Sequence, residues 1–152
     1  MPIEVETRNI SGHVTAVGAA GPFTLVVDRP AELGGGGKGF NGGQLLYLSV
    51  AGCVSNDLFR EADKFNVRLE RVVVRVRGDF EGDPAISGPI TYDVEVSGTG
   101  GDDSLRQLVD HVDRIAEIPN SLRRATKVRL GQAVIGEHAE ARRPGRRMPT
   151  AE

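Results

Sequence analysis

The chain has one cysteine, three histidines and no surplus of charge of either sign, and each shortage excludes a class of function. A lone Cys53 rules out an internal disulfide and every multi-cysteine metal site, and it suits a reducing compartment. His13, His111 and His138 share no ligand-like spacing, so no zinc site is expected, and no cofactor is implied. Acidic residues number 21 against 19 basic, for a net charge of −2, and no global field draws the protein to nucleic acid or to an anionic membrane. No apolar stretch approaches the roughly 20 residues that cross a bilayer. The opening residues Met1-Pro2-Ile3-Glu4-Val5-Glu6 lack the pattern of a signal peptide, which gives an expectation of cytoplasmic location. At 152 residues the chain fits one domain with its own core.

What is present reads as an α+β order. Short β-favouring runs such as His13-Val14-Thr15-Ala16-Val17 and Phe23-Thr24-Leu25-Val26-Val27, punctuated by Gly12, Gly18 and Gly21-Pro22, predict two or three strands up to about residue 28. Residues 34–39 hold five glycines in six positions, too much backbone entropy for helix or strand, and a mobile loop is expected. The loop lacks the terminal Gly-Lys-[Ser/Thr] of a phosphate loop, and Lys38 precedes the following helix instead of entering it, which argues against nucleotide binding.

Asn41 is a plausible N-cap for a helix to about Phe65, whose first half is apolar nearly all round and should be buried, while Asp57, Arg60, Glu61, Asp63 and Lys64 should carry the second half to solvent. Val72, Val74 and Val76 alternate with Arg71, Arg75 and Arg77, and Ile90, Tyr92, Val94 and Val96 alternate with Thr91, Asp93, Glu95 and Ser97. These two half-buried strands form an antiparallel pair with arginines facing acids. Asp102-Asp103-Ser104 caps a one-faced helix bearing Leu105, Leu108, Val109, Val112, Ile115 and Ala116, which ends before Pro119. A helical turn near Ser121 to Ala125 and a last strand from Val128 to about Ile135 complete the body. Residues 139–152, with Arg142, Arg143, Arg146 and Arg147, read as a disordered, solubilising tail.

By its residue type alone, a cysteine in the apolar half of a helix is either an inert small hydrophobe or, with Gly52 beside it, a sulfur that backbone or substrate can approach. Asp57, one turn on, would raise the thiol pKa if it shared the face. His111 falls off its helix's apolar face and Glu117 lies near the helix end, so both are expected at the surface.

The stretch Pro30-Ala31-Glu32-Leu33-Gly34-Gly35, followed by Gly39-Phe40-Asn41-Gly42-Gly43-Gln44-Leu45, resembles the Pro-x-Glu-Leu-Gly-Gly … Gly-Thr-Asn-Pro-Glu-Gln-Leu entry to the central helix of the OsmC/Ohr family (osmotically inducible protein C / organic hydroperoxide resistance). Gly12-His13-Val14 and Pro119-x-Ser121 fit the same alignment, which runs over residues 10 to 135. The resemblance implies an OsmC-like domain over 1–138, with antiparallel sheet wrapped around two central helices, and an intertwined homodimer whose apolar sites lie between subunits. It places the family's peroxidatic cysteine on Cys53. The resolving cysteine's position is Ile118, the glutamate that holds a catalytic arginine falls on Gly43 beside Gln44, and Arg8 is the nearest candidate for that arginine, out of register. The implied function is one-cysteine reduction of a small hydroperoxide, or, with the machinery reduced, binding of a small apolar ligand in the same inter-subunit pocket.

Overall fold

The computed structural model describes residues 2–133 and 135. Three strands, β1 (Glu6–Asn9), β2 (Ala16–Ala20) and β3 (Phe23–Val27), form an antiparallel meander with Arg8 opposite Val17 and Gly18 opposite Leu25. Its turns use Gly12 and Gly21 at positive φ, where a side chain would be strained.

The glycine run that follows is tied down, contrary to the expectation of a mobile loop. Asp28, buried at 4% exposure, accepts hydrogen bonds from Thr15 Oγ1 at 2.9 Å, Arg29 N at 2.8 Å, Gly36 N at 3.0 Å and Lys38 N at 3.2 Å. The Gly36 amide, with further help from Thr15 and two more amides, holds this carboxyl below the usual range against the opposing effect of burial. The glycines make the approach possible, because a Cβ on Gly35 would stand 2.0 Å from Arg29 O and one on Gly39 2.3 Å from Val26 O. Low local propensity was overcome by one carboxylate that satisfies several amides at once.

Helix α1 (Gly42–Glu61) starts at a complete capping box. Asn41 Oδ1 accepts from Gln44 N and Gln44 Oε1 accepts from Asn41 N, both at 2.9 Å. Its burial departs from the expectation in part, for Arg60, Asp63 and Lys64 reach solvent as expected but Asp57 and Glu61 do not. The buried side chains are Val50, Val54, Asp57, Leu58 and Glu61, all in the middle and second half, while Leu48 in the first half is exposed. The reason is what packs on it. A turn at 62–65 closes at Asn66 in the left-handed region, and β4 (Arg68–Arg77) then runs back along α1 to pair with β7 (Thr91–Thr99).

In that antiparallel pair Val74 faces Val94 and Arg75 faces Asp93, and on the outer face Arg71 meets Glu95 at 3.1 Å, Arg77 meets Asp93 at 2.5 Å and Arg75 also meets Glu95. The expected facing rows are present. A short hairpin, β5 (Phe80–Glu81) with β6 (Ile86–Ser87), projects between the long strands.

Helix α2 (Asp102–Ile115) lays Leu105, Leu108 and Val112 on the core, although its N-cap is Gly101, without a side-chain cap, in place of the expected aspartates and serine. Ala116, fully buried with ψ 120°, breaks the helix, and α3 (Glu117–Arg123) sets off in a new direction. Val54, Leu58, Ala62, Val67, Leu105, Leu108, Val112 and Ala116 form the core between the helices and the β4–β7 pair. The sheets flank the helices only in part, for Phe23 in β3 is 76% exposed.

No strand forms over 128–133, and Val128 and Leu130 stand exposed, which corrects the expected last strand. A strand needs a partner edge, and this segment pairs with none of the described strands. The tail at 139–152 lies outside the described residues. No helix among the described residues is long and apolar enough to cross a membrane.

Glu61 is the other buried acid of α1, at 4% exposure, and it meets Lys64 Nζ at 2.5 Å, Arg60 Nε at 3.0 Å and His111 Nε2 at 3.1 Å. His111, which also packs against Phe65, is half-buried and hydrogen-bonded to Glu61 instead of being a free surface residue. The Lys64 and Arg60 hydrogen bonds lead in pulling the Glu61 pKa down to about 2. Its contribution to stability is therefore complete above the ordinary glutamate pKa and is lost as the pH falls from there through about 2. Urea unfolding across that acid range should show stability dropping with pH in the wild type and a flatter profile in Glu61→Gln. In the same assay at neutral pH, Leu58→Ala, which empties a fully buried core position, should cost about 3 kcal/mol.

Candidate functional site

Cys53 lies on the face of α1 that turns toward the start of α3, and the helix period puts Asp57 on the same side one turn later. The break at Ala116 brings Glu117 and Ile118 over the sulfur. Cys53 Sγ is 3.8 Å from Asp57 Oδ2 and 3.7 Å from Glu117 Oε2, and one thiol proton serves two carboxylate acceptors. Arg60 holds the far sides of both, with Nη1 at 2.8 Å from Asp57 Oδ1 and 3.7 Å from Glu117 Oε1.

Opposing effects act on the thiol. Burial raises its pKa above the ordinary value, and the Asp57 and Glu117 charges push the same way, while the backbone amides of Ile118 and Glu117 point at the sulfur and pull it down. The raising effects win. Asp57 is itself raised, first by burial and then by Glu117, against the opposing charge of Arg60. Thiol and carboxyl are both shifted toward their protonated forms.

The donor atoms of Cys53, Asp57 and Glu117 lie within 4.8 Å of one another, close enough for one metal ion to reach all three. Arg60 already supplies the positive charge that the two carboxylates need, so the cluster reads as an ion-paired thiol site.

One turn back along α1 a pocket of about 340 Å³ opens, walled by Leu46, Val50, Ile90, Tyr92, Pro119 and Leu122. Val50 precedes Cys53 by three residues and Pro119 follows Ile118, so the pocket lies one turn of α1 from Cys53, which is not itself part of its wall. Tyr92 gives it a polar edge, with burial and its hydrogen bond to Asp113 pushing the phenol up to about 12.

The other residues singled out from sequence are not brought to the thiol. Arg8 sits on β1, 69% exposed, paired with Glu6 at 3.5 Å, and it is not among the groups that shift Cys53. Gly43 lies under the ring of Phe80, whose Cε2 would be 2.9 Å from a Cβ there, and Phe80 stacks on Tyr47. The space of the expected glutamate is covered by an aromatic side chain. Gln44 is engaged in the helix cap. Ile118 stands beside the sulfur but contributes its amide and no thiol. Beside Gly52, apart from its own helix, no atom of the described residues lies within 4 Å of where a side chain would stand.

Sequence reasoning missed Glu117 and Arg60. The signal for Glu117 was its place immediately before Ile118. For Arg60 it was the i,i+3 spacing from Asp57 on a helix whose acids turn out to be buried.

A search of curated proteins finds no match. Among solved structures the fold is similar to an OsmC-like protein from Mycoplasma pneumoniae (TM-score 0.71, 16% identity, covering 81% of this chain and 88% of that one). It is also similar to a hypothetical protein from Aquifex aeolicus VF5 (TM-score 0.68, 19% identity, 83% and 90%). A third is an organic hydroperoxide resistance protein OsmC from Legionella pneumophila (TM-score 0.60, 20% identity, 81% and 90%). At these identities the likeness is one of fold. The family model described as OsmC-like protein matches residues 35–131, from the glycine loop through α1, Cys53, both long strands and α3. That span is well over half of the sequence, and the chain belongs to the OsmC-like protein family.

Proposed function

We propose that the protein is a homodimeric, one-cysteine member of its family that meets small organic hydroperoxides at Cys53, in the cytoplasm, as part of a response to oxidative stress. The observation that carries this reading is the sulfur's position, facing the amides of Glu117 and Ile118, one turn of α1 from an apolar pocket. The name of the Legionella protein, organic hydroperoxide resistance, points to the same chemistry.

The thiolate sulfur attacks the outer peroxide oxygen. The O–O bond breaks, the sulfur becomes a sulfenic acid, and the alkoxide leaves as alcohol with the thiol's proton. With isoleucine at 118, a small external thiol condenses with the sulfenic acid, releasing water and leaving a mixed disulfide. A second such thiol restores Cys53 and departs as the disulfide of the reductant.

This cycle is slow. A free thiol near pKa 8.5 is only a few per cent thiolate at neutral pH, and each further unit of rise lowers that fraction about tenfold. Asp57 and Glu117 give the second reading its support, in which the same pocket binds a small apolar ligand without reducing it.

The dimer is supported by apolar side chains left uncovered on one chain. Leu48 and Phe59 on α1 are 51% and 56% exposed, and Val128 and Leu130 have no strand to join. A second copy would cover them and give the 128–133 segment an edge to pair with. Sedimentation should give a species of about twice 16.2 kDa, and a monomer at micromolar concentration would sink the dimer.

The function is tested by turnover of cumene hydroperoxide with a dithiol reductant. Slow turnover that disappears in Cys53→Ser is the expected outcome. Equal, negligible rates in both proteins would select the ligand-binding reading.

A further inference from the structure

We infer that Arg60 is the positioning residue of the thiol site, setting the proton affinity of Cys53 through Asp57 and Glu117. The inference rests on Cys53 being the reacting group of the proposed function, but its test reads the thiol without any peroxide.

Each carboxylate divides its two oxygens. Asp57 Oδ1 and Glu117 Oε1 turn to Arg60 Nη1, at 2.8 and 3.7 Å, and Asp57 Oδ2 and Glu117 Oε2 turn to the sulfur, at 3.8 and 3.7 Å. One guanidinium thus bridges α1 and α3 on the far side of the two acids that flank the thiol.

Its plane is fixed from behind. Arg60 Nε lies 3.0 Å from Glu61 Oε1, and the buried Glu61 is in turn gripped by Lys64 and His111. The charged groups around the sulfur are therefore Asp57 from α1 and Glu117 from α3, with Arg60 on both. Glu61, Lys64 and His111 stand behind Arg60 and not on Cys53.

With Arg60 in place, the two acids and one guanidinium leave a net charge of −1 beside the thiol. Without it the net charge is −2, and a second negative charge at this range opposes ionisation of the sulfur. The arrangement is distinct from an arginine laid on the sulfur itself, and Arg8 on β1 takes no part in it. A lysine at 60 would keep the charge but lose the planar fork that reaches Glu61 and both acids together.

The experiment is the rate of Cys53 alkylation by iodoacetamide from about pH 6 to about pH 10. The proteins compared are wild type, Arg60→Met, Arg60→Lys, the double variant Asp57→Asn/Glu117→Gln, and the double variant carrying Arg60→Met. Arg60→Met should slow alkylation about threefold at about pH 8 and move the profile to higher pH, with Arg60→Lys between it and wild type. The double variant should alkylate faster than wild type, and adding Arg60→Met to it should bring no comparable slowing.

An Arg60→Met profile that superimposes on wild type, or runs faster, overturns the inference. So does equal slowing in the double variant, because Arg60 would then act on the sulfur without the acids. General loosening exposes the thiol and speeds alkylation, the opposite sign to the expected one. Should the methionine variant fail to fold, Arg60→Lys carries the test alone, and an unchanged lysine profile overturns the proposal.

Discussion

The C-terminal half of α1 has to bury two carboxylates on one helix face, and what surrounds the thiol follows from how their charges are met. Asp57 and Glu61 are four residues apart and almost wholly out of solvent, in a helix whose other buried residues are Val50, Val54 and Leu58. Buried acids persist only when paired and hydrogen-bonded. Arg60, projecting from between them, reaches both, with Lys64 and His111 completing the shell of Glu61. The same guanidinium extends to Glu117 and ties the start of α3 to α1, so the helix that faces the sulfur is held by the cation that makes the buried acids tolerable.

That solution has a chemical consequence for Cys53. The sulfur has the two amides of α3 beside it and lies one turn of α1 from an apolar pocket. Its neighbouring charges are carboxylates, and they oppose the thiolate. The departures from the family's pattern are each filled by something with its own physical role. Phe80 covers Gly43, the cap uses Gln44, and Ile118 borders the sulfur as an apolar side chain. Burial and the flanking carboxylates thus both disfavour the thiolate.

Much of this was legible in the chain itself. Alternation of valine with arginine and acid gave the β4–β7 pair, the three- and four-residue steps of leucine and valine gave α2, and Asn41 marked the start of α1. The motif entering α1 identified the fold. These features are local, fixed by backbone periodicity and capping, and they need no knowledge of what packs against what.

The rest depended on partners that periodicity does not name. The glycine run looked free because glycine has no propensity, yet Asp28, several residues earlier, holds its amides. The second half of α1 looked solvent-facing because it is charged. β4 and α2 instead close over it, and the charges pair internally. The segment from Val128 to about Ile135 was expected to be a strand, but a strand exists only where another edge accepts its hydrogen bonds, and residues 128–133 pair with none. The sequence by itself determined most of the elements, the family and the position of the one thiol. The tertiary structure decided that thiol's protonation environment, because a pKa depends on charges and amides brought together from α1 and α3, more than sixty residues apart in the chain.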